Sequence, residues 1–167
     1  MCIRDRVSID QLLNMTVDDA ISLFRKYNQN RIVNKLIPLQ SVGLGYVSLG
    51  QSSNTLSGGE AQRIKLASFI GKGEQIEKTF FIFDEPTTGL HFHDIKKLLS
   101  TFEKLKVMGH SLLVIEHNLE MIKCADYIID LGPEGGNKGG EVVAKGTPEQ
   151  IIKSKDSYTG KYLKNKI

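Results

Sequence analysis

The feature that most restricts the fold is a short passage, Phe80-Phe-Ile-Phe-Asp84, with Glu85 directly behind it. An unbroken apolar run of this length, closed by a charged residue, suits a strand covered on both faces within a parallel sheet. Such strands end at the carboxyl edge of the sheet, where ligands of open α/β folds bind. Here that edge carries two adjacent carboxylates. One acid can hold Mg²⁺ there while its neighbour polarises a water. A solvated acidic turn after an ordinary strand is the other reading, and the pair alone does not separate them.

The chain on either side alternates in character. Apolar runs of strand length recur at 111–115 and 127–131, separated by a segment in which Ile95, Leu98, Leu99, Phe102 and Leu105 keep helical spacing, and by a short helical run near Leu119. This alternation predicts a mostly parallel sheet flanked by helices, an α/β class. A further strand is expected over 141–144, and Thr147-Pro148 suits the start of a helix, with proline at the first position. The tail from Lys153 carries five lysines against one aspartate and is expected to fray. The first third reads as helical. Residues 7–13 form an extended or turning lead-in, and Thr16 with Asp19 opens a helix carrying Ala20, Ile21, Phe24 and Tyr27. A second helix with Ile32, Val33, Leu36 and Ile37 is expected to be interrupted near Pro38 and to end near Gly43.

Between these halves, Leu56-Ser-Gly-Gly-Glu60 opens a helix over 60–70. Unobstructed backbone N–H groups, a hydroxyl and a helix N-terminus together make an anion site. A plain loop-to-helix turn has the same composition. His117, just beyond the run at 111–115, could donate to a phosphate at the same sheet edge, or be a loop histidine.

In this order, LSGGEAQRIKLA from Leu56, FFIFDEPTTGLH from Phe80 and VIEHN from Val114 resemble the signature, Walker B, D-loop and H-loop of ABC ATPases. Within that superfamily the chain is similar to the UvrA family of bacterial excision repair. The D-loop reads Thr88-Gly-Leu-His91, where transporter ATPases usually carry a Ser-Ala-Leu-Asp type sequence. ADYIIDLGPEGG from Ala125, GGEVV from Gly139 and GTP from Gly146 continue the likeness, as do NMTVD from Asn14 and GLGYVSLG from Gly43. The nucleotide-binding subunit of an ABC transporter, which uses the same ATP motifs, is the alternative.

The resemblance implies the C-terminal portion of an ABC-type (P-loop NTPase) nucleotide-binding domain: a helical signature subdomain over 7–77, a RecA-like α/β lobe over 78–152 and a tail over 153–167. Its cofactors would be ATP and Mg²⁺. Asp84 would hold the Mg²⁺ through water, Glu85 would act as general base and His117 as γ-phosphate sensor. Nucleotide contacts would come from Ser57, Gly58, Gly59, Glu60 and Gln62 of the signature and from Thr88, Gly89 and His91 of the D-loop. Because ABC signatures close on ATP held by the opposite domain, the chain would contribute to two sites. Arg63 would lie near phosphate or in a structural ion pair, with the structural role favoured.

Nothing in the sequence matches GxxxxGK[ST], the loop that cradles β and γ phosphates. The expected sheet therefore lacks the P-loop strand. The glutamine-bearing Q-loop and the paired CxxC motifs that bind zinc in full-length relatives are also unmatched, so no zinc ligands are expected in this chain; all three motifs would lie upstream of Val7 in such a relative. Met1 to Arg6 match nothing in the family and are expected to be an unrelated leader or scar. His91 and His93 lack accompanying ligands at metal spacing. The family's partners would be damaged double-stranded DNA, UvrB, a second UvrA copy in a homodimer and the other ABC module of the same protein. Excision-nuclease action, the SOS response and a cytoplasmic setting belong to the same implication. A net charge of +3 gives no basic stripe of its own. No apolar run approaches the ~20 residues of a membrane helix, and no secretory signal is recognisable.

Overall fold

The computed structural model describes residues 7–71, 77–134 and 139–167. The expected leader at 1–6, and residues 72–76 and 135–138, lie outside the described residues. The chain divides into two compact units, the first ending at Ile115 and the second spanning Glu116–Ile167.

The first unit opens with helices. Ser8 accepts from the Gln11 N–H at 3.2 Å while the Gln11 side chain accepts from the Ser8 N–H at 2.9 Å, so α1 (Ile9–Asn14) forms where an extended lead-in was expected. Two otherwise orphan donors are satisfied by this reciprocal cap, which offsets the cost of nucleating so short a helix. α2 (Val17–Lys26) begins as read, with Thr16 Oγ1 accepting from the Asp19 N–H at 3.1 Å. Asp18 and Asp19 lie in its first turn and Arg25 and Lys26 in its last, matching the helix dipole. Its buried stripe, Val17, Ala20, Ile21 and Phe24, packs with Val33 of α3 (Asn30–Ser41), and Leu12, Leu36, Leu39 and Leu49 surround the cluster.

Pro38 lies inside α3 rather than interrupting it. Proline removes one N–H, yet the turn beyond it is refastened by the Ser41 hydroxyl, which donates to the Pro38 carbonyl at 2.8 Å. The helix then ends in a Schellman arrangement: Leu44 N–H reaches Leu39 O at 3.0 Å and Gly43 N–H reaches Gln40 O at 3.1 Å. Gly43 supplies the positive φ of 79° that this ending requires.

α4 (Gly58–Ile70), β1 (Phe80–Asp84), α5 (Phe92–Val107) and β2 (Ser111–Ile115) complete the unit. β1 and β2 are parallel, in register from Phe80 opposite Ser111 to Asp84 opposite Ile115. Phe81 meets Phe69 of α4 edge-on at 4.7 Å between ring centroids, and Phe83 lies 4.7 Å from Phe102 of α5. The other face is bare, with Phe80, Ile82, Leu113 and Ile115 between 44% and 62% exposed. β1 is thus covered on one face, not two. Its apolar run fits burial on both sides, but among the described residues of the first unit one layer, α4 and α5, packs on it.

In the second unit, β3 (Ile128–Gly132) pairs antiparallel with β4 (Glu141–Gly146), with a register shift between Asp130 and Leu131. Among the described residues, parallel pairing is that of β1 with β2 and an isolated bridge between Glu134 and Gly139, within an α/β fold. α6 (Leu119–Ile122), α7 (Pro148–Ile151) and α8 (Tyr158–Leu163) accompany this pair. The tail does not fray as expected. Asp130 accepts from Ser157 Oγ at 2.5 Å and from Thr159 Oγ1 at 2.7 Å, and Leu163 is fully buried. Its lysines at 161 and 164 are exposed while Ser157, Gly160 and Leu163 turn inward, so a basic composition coexists with a docked helix.

An apolar sheet face of this kind drives association. Produced alone, the chain is expected to self-associate, and Ile82→Thr with Leu113→Thr is expected to shift it toward monomer in sedimentation velocity. A monodisperse monomer from the unsubstituted chain would contradict this.

Candidate active site

Two turns meet at the carboxyl end of β1: the N-terminus of α4 and the loop that leaves Asp84. Ser57 caps α4. Its N–H donates to Glu60 Oε2 at 2.7 Å and its Oγ accepts from the Glu60 N–H at 3.3 Å. The second oxygen of the same carboxylate, Oε1, accepts from Tyr46 Oη–H at 2.5 Å. The tyrosine hydroxyl and then the Ser57 N–H hold the Glu60 carboxyl below the usual glutamate range. Tyr46 is pushed up in turn, by burial first and then by Glu60.

The glycines behind Ser57 have opposite surroundings. Gly58 is exposed, and a Cβ there would meet nothing within 4 Å, so its side of the helix end is open to an anion. Gly59 is buried, and its Cβ would stand 3.2 Å from Arg63 Nη1, 3.4 Å from Thr88 O and 3.5 Å from Glu85 O. The first glycine leaves space for a ligand, the second for the neighbouring turn.

Gln62 and Arg63 fasten α4 to that turn. Gln62 Nε2 donates to Asp84 O at 3.0 Å and its Oε1 accepts from the Asp84 N–H at 3.2 Å, which gives the last residue of β1 the pairing a further strand would supply. The expected nucleotide contact at Gln62 thus has its amide committed to backbone in this structure. Arg63 has no exposed surface; its Nη1 donates to Pro86 O at 2.6 Å and to Thr88 O at 3.2 Å. Among the described residues its Nε and Nη2 have no hydrogen-bond partner. The structural role expected of Arg63 thus combines these carbonyl contacts with a charge that acts on Glu60 and Tyr46.

Asp84 and Glu85 are both exposed. Glu85 adopts φ 47°, a left-handed conformation unusual for a residue with a side chain. It is held there by its N–H donating to Ile115 O at 2.9 Å and by its carbonyl accepting from Thr88 N–H at 3.1 Å. Backbone strain of this sort costs about 1–3 kcal/mol and persists where surrounding structure over-determines it. Pro86 and Thr87 are buried beneath, while Thr88 and Gly89 lie on the surface, Gly89 at φ 75°. His91 is exposed and precedes α5 as its N-cap residue without a side-chain cap bond.

The structure thus gathers Ser57, Gly58, Gly59, Glu60, Gln62, Asp84, Glu85 and Thr88 at one junction of the first unit. His117 belongs to the second unit, where it is exposed. There Glu116 Oε2 accepts from the N–H groups of His117 at 3.1 Å and Asn118 at 3.2 Å, and Asn118 caps α6. Sequence reasoning missed Tyr46 altogether. Arg63 carried a readable signal: Gly59, Arg63, Leu66 and Ala67 recur at helical spacing and form the buried stripe of α4.

No family model matches the sequence. UvrABC system protein A of Clostridium acetobutylicum is 59% identical over 160 residues, covering 96% of this chain and 17% of that protein. The protein of that name from Aquifex aeolicus is 55% identical over 157 residues, 94% of this chain and 17% of the relative. The chain thus spans only 17% of the length of either curated relative. The crystal structure of UvrA2 from Deinococcus radiodurans matches at a TM-score of 0.79 and 38% identity, over 98% of this chain and 20% of that one. A bacterial Atm1-family ABC exporter with ATP bound shares the fold, with a TM-score of 0.53 and 22% identity over 93% of this chain and 26% of the exporter's.

The two glycines should respond differently to alanine. Gly58→Ala is expected to leave the melting temperature unchanged or raise it, since alanine gains about 1 kcal/mol in a helix. Gly59→Ala is expected to lower it, because the added Cβ would press at 3.2 Å on Nη1 of Arg63, which is buried and held by two carbonyls; equal melting curves would refute this. The Glu60 clamp should also show in acid. A carboxyl depressed on folding contributes stability that is present above the unfolded-state pKa, near 4.5, and is lost as pH falls through the lower folded value. Glu60→Gln is expected to flatten that part of the stability profile in denaturant titrations, and an unchanged acid limb would contradict the clamp.

Proposed function

The chain belongs to the UvrA family of ABC-type ATPases, and from that premise we propose that it supplies part of the ATP-hydrolysing machinery of a DNA-damage-recognition protein. One observation carries the reading. The open glycine at the head of α4 and the exposed carboxylates of Asp84 and Glu85 sit on turns bolted together by Gln62 and Arg63.

The residues present fit ATP with Mg²⁺. Gly58 leaves room for a phosphate oxygen at the first turn of a 13-residue helix. Mg²⁺ commonly takes one or two carboxylates together with phosphate oxygens and water, and Asp84 offers such a carboxylate at the strand end. When bound, the nucleotide and its metal supply the phosphoryl group that passes to water, a reaction in which positioning and charge stabilisation provide nearly all the rate. Asp84 would hold the metal through water. Glu85, fixed by its backbone bonds to Ile115 and Thr88, would orient the attacking water and accept its proton. His117 would donate to a phosphate oxygen. Ser57 and Gly58, with Gly59 and Glu60 shaping the helix end, would close on the γ-phosphate of ATP held by another module, and Thr88, Gly89 and His91 would lie along the boundary between modules.

In a complete protein we place this machinery alongside damaged double-stranded DNA, UvrB, a second copy in a homodimer and the other ABC module, within excision repair, the SOS response and the cytoplasm. Zinc would be bound elsewhere in such a protein. Among the described residues no helix is long and apolar enough to cross a membrane.

Glu85→Gln in a full-length protein carrying this segment is expected to lower steady-state ATP turnover about 10²- to 10⁴-fold while ATP still binds. Undiminished turnover would overturn the assignment. The 167-residue chain alone, whose sequence contains no match to GxxxxGK[ST], is expected to turn over no ATP above background. Robust turnover by it would show that the phosphate cradle is built from other residues.

A further inference from the structure

The head of α4 is held by a set of polar contacts that reach beyond the groups proposed to meet the nucleotide. Glu60 spends one carboxylate oxygen on the Ser57 N–H at 2.7 Å and the other on the Tyr46 hydroxyl at 2.5 Å. Tyr46 comes from the loop after α3, and its hydroxyl reaches across to the signature helix. Hydrogen bonds to an ionised carboxylate are short and about twice as strong as neutral ones, so Glu60 cannot move without carrying Ser57. One turn further along α4, Arg63 is enclosed completely and bonds two carbonyls of the turn behind Glu85.

An enclosed guanidinium whose Nε and Nη2 have no hydrogen-bond partner among the described residues, though its charge acts on Glu60 and Tyr46, is a costly way to fill space. An apolar side chain of similar volume would remove that cost. What the guanidinium adds is geometry: a planar fork can bind two carbonyls at once and hold their spacing. Gly59 lets the helix backbone approach close enough for that, with Thr88 O and Glu85 O beside the place its Cβ would occupy.

We propose that Tyr46 and Arg63 are positioning residues that make the signature serine and the Glu85 turn a single rigid body. Tyr46 acts through Glu60 on Ser57, and Arg63 ties the same helix to the carbonyls of Pro86 and Thr88. Resting on the hydrolysis reading above, this has a mechanical consequence. Ser57 serves one ATP site and Glu85 another, so a shift of the helix at the first site moves the base at the second.

The test uses a full-length protein carrying this segment. Tyr46→Phe removes one hydroxyl from a half-exposed ring and is expected to lower kcat for ATP about tenfold with KM changed less than about twofold, as for an interaction made only in the transition state. In a Ser57→Ala background the same change is expected to lower kcat less than about twofold, while its effect on melting temperature stays the same in both backgrounds. Independent, multiplying effects on kcat would overturn the proposal. Amide hydrogen exchange supplies a readout free of activity. Tyr46→Phe and Arg63→Met are each expected to speed exchange both at 57–61 and at 85–90, leaving α2 unchanged; acceleration confined to one of the two segments would overturn the rigid coupling. Arg63→Lys, which keeps the charge but lacks the fork, is expected to exchange like Arg63→Met, and full protection in that variant would show that charge alone suffices. If Glu85→Gln leaves turnover intact, the hydrolysis reading fails, while the exchange data still decide the coupling.

Discussion

The contact on which the first unit turns is the guanidinium of Arg63 between the carbonyls of Pro86 and Thr88. A buried charge requires partners, and backbone carbonyls are partners that cannot rotate away. Their positions therefore dictate the turn after β1, and the turn dictates how Glu85 is presented. Gln62 adds a second fixed point by pairing both backbone groups of Asp84. With α4 fastened at two successive residues, the orientation of its N-terminus follows. Gly59 is the steric complement of that fastening, since an added Cβ would stand 3.2 Å from Arg63 Nη1.

Much of the fold was legible because it is set by local chemistry. Thr16 with Asp19 and Ser57 with Glu60 are caps that act within one turn, and both open helices where the sequence places them. The strands at 80–84 and 111–115 also form as read, since runs so apolar and so short have few alternatives. Less legible were features decided by partners at a distance. Phe80 and Ile82 look like core residues from sequence, yet among the described residues of the first unit one layer covers the sheet and both side chains are exposed. The tail looks like a solvated lysine run, yet Asp130, more than twenty residues earlier, accepts from Ser157 and Thr159 and seats α8. Pro38 looks like a break, and a serine hydroxyl three residues on keeps the turn together.

The candidate site divides along the same line. Asp84, Glu85 and the Ser57-Gly58-Gly59 run were visible because a strand end with carboxylates and a glycine-rich helix start are chemical statements in themselves. Gln62 reads from sequence as a ligand contact; in the structure its amide pairs both backbone groups of Asp84, as a peptide group would. Tyr46 was invisible: nothing in a loop tyrosine shows that it will meet a carboxylate fourteen residues away. The left-handed conformation at Glu85 was equally hidden, because sequence rules assign positive φ to glycine first.

Together these features set an open helix end and two exposed carboxylates on adjoining, mutually fastened turns, which the proposed hydrolysis assigns to different nucleotides. The claim that these serve different nucleotides is tested most directly by a structure of a full-length protein carrying this segment, trapped with a non-hydrolysable ATP analogue and Mg²⁺. The account predicts the Ser57 hydroxyl about 3 Å from a γ-phosphate whose phosphate-binding loop belongs to a different module from the nucleotide served by Glu85. Finding Ser57 and Glu85 of one copy on the same nucleotide would contradict it.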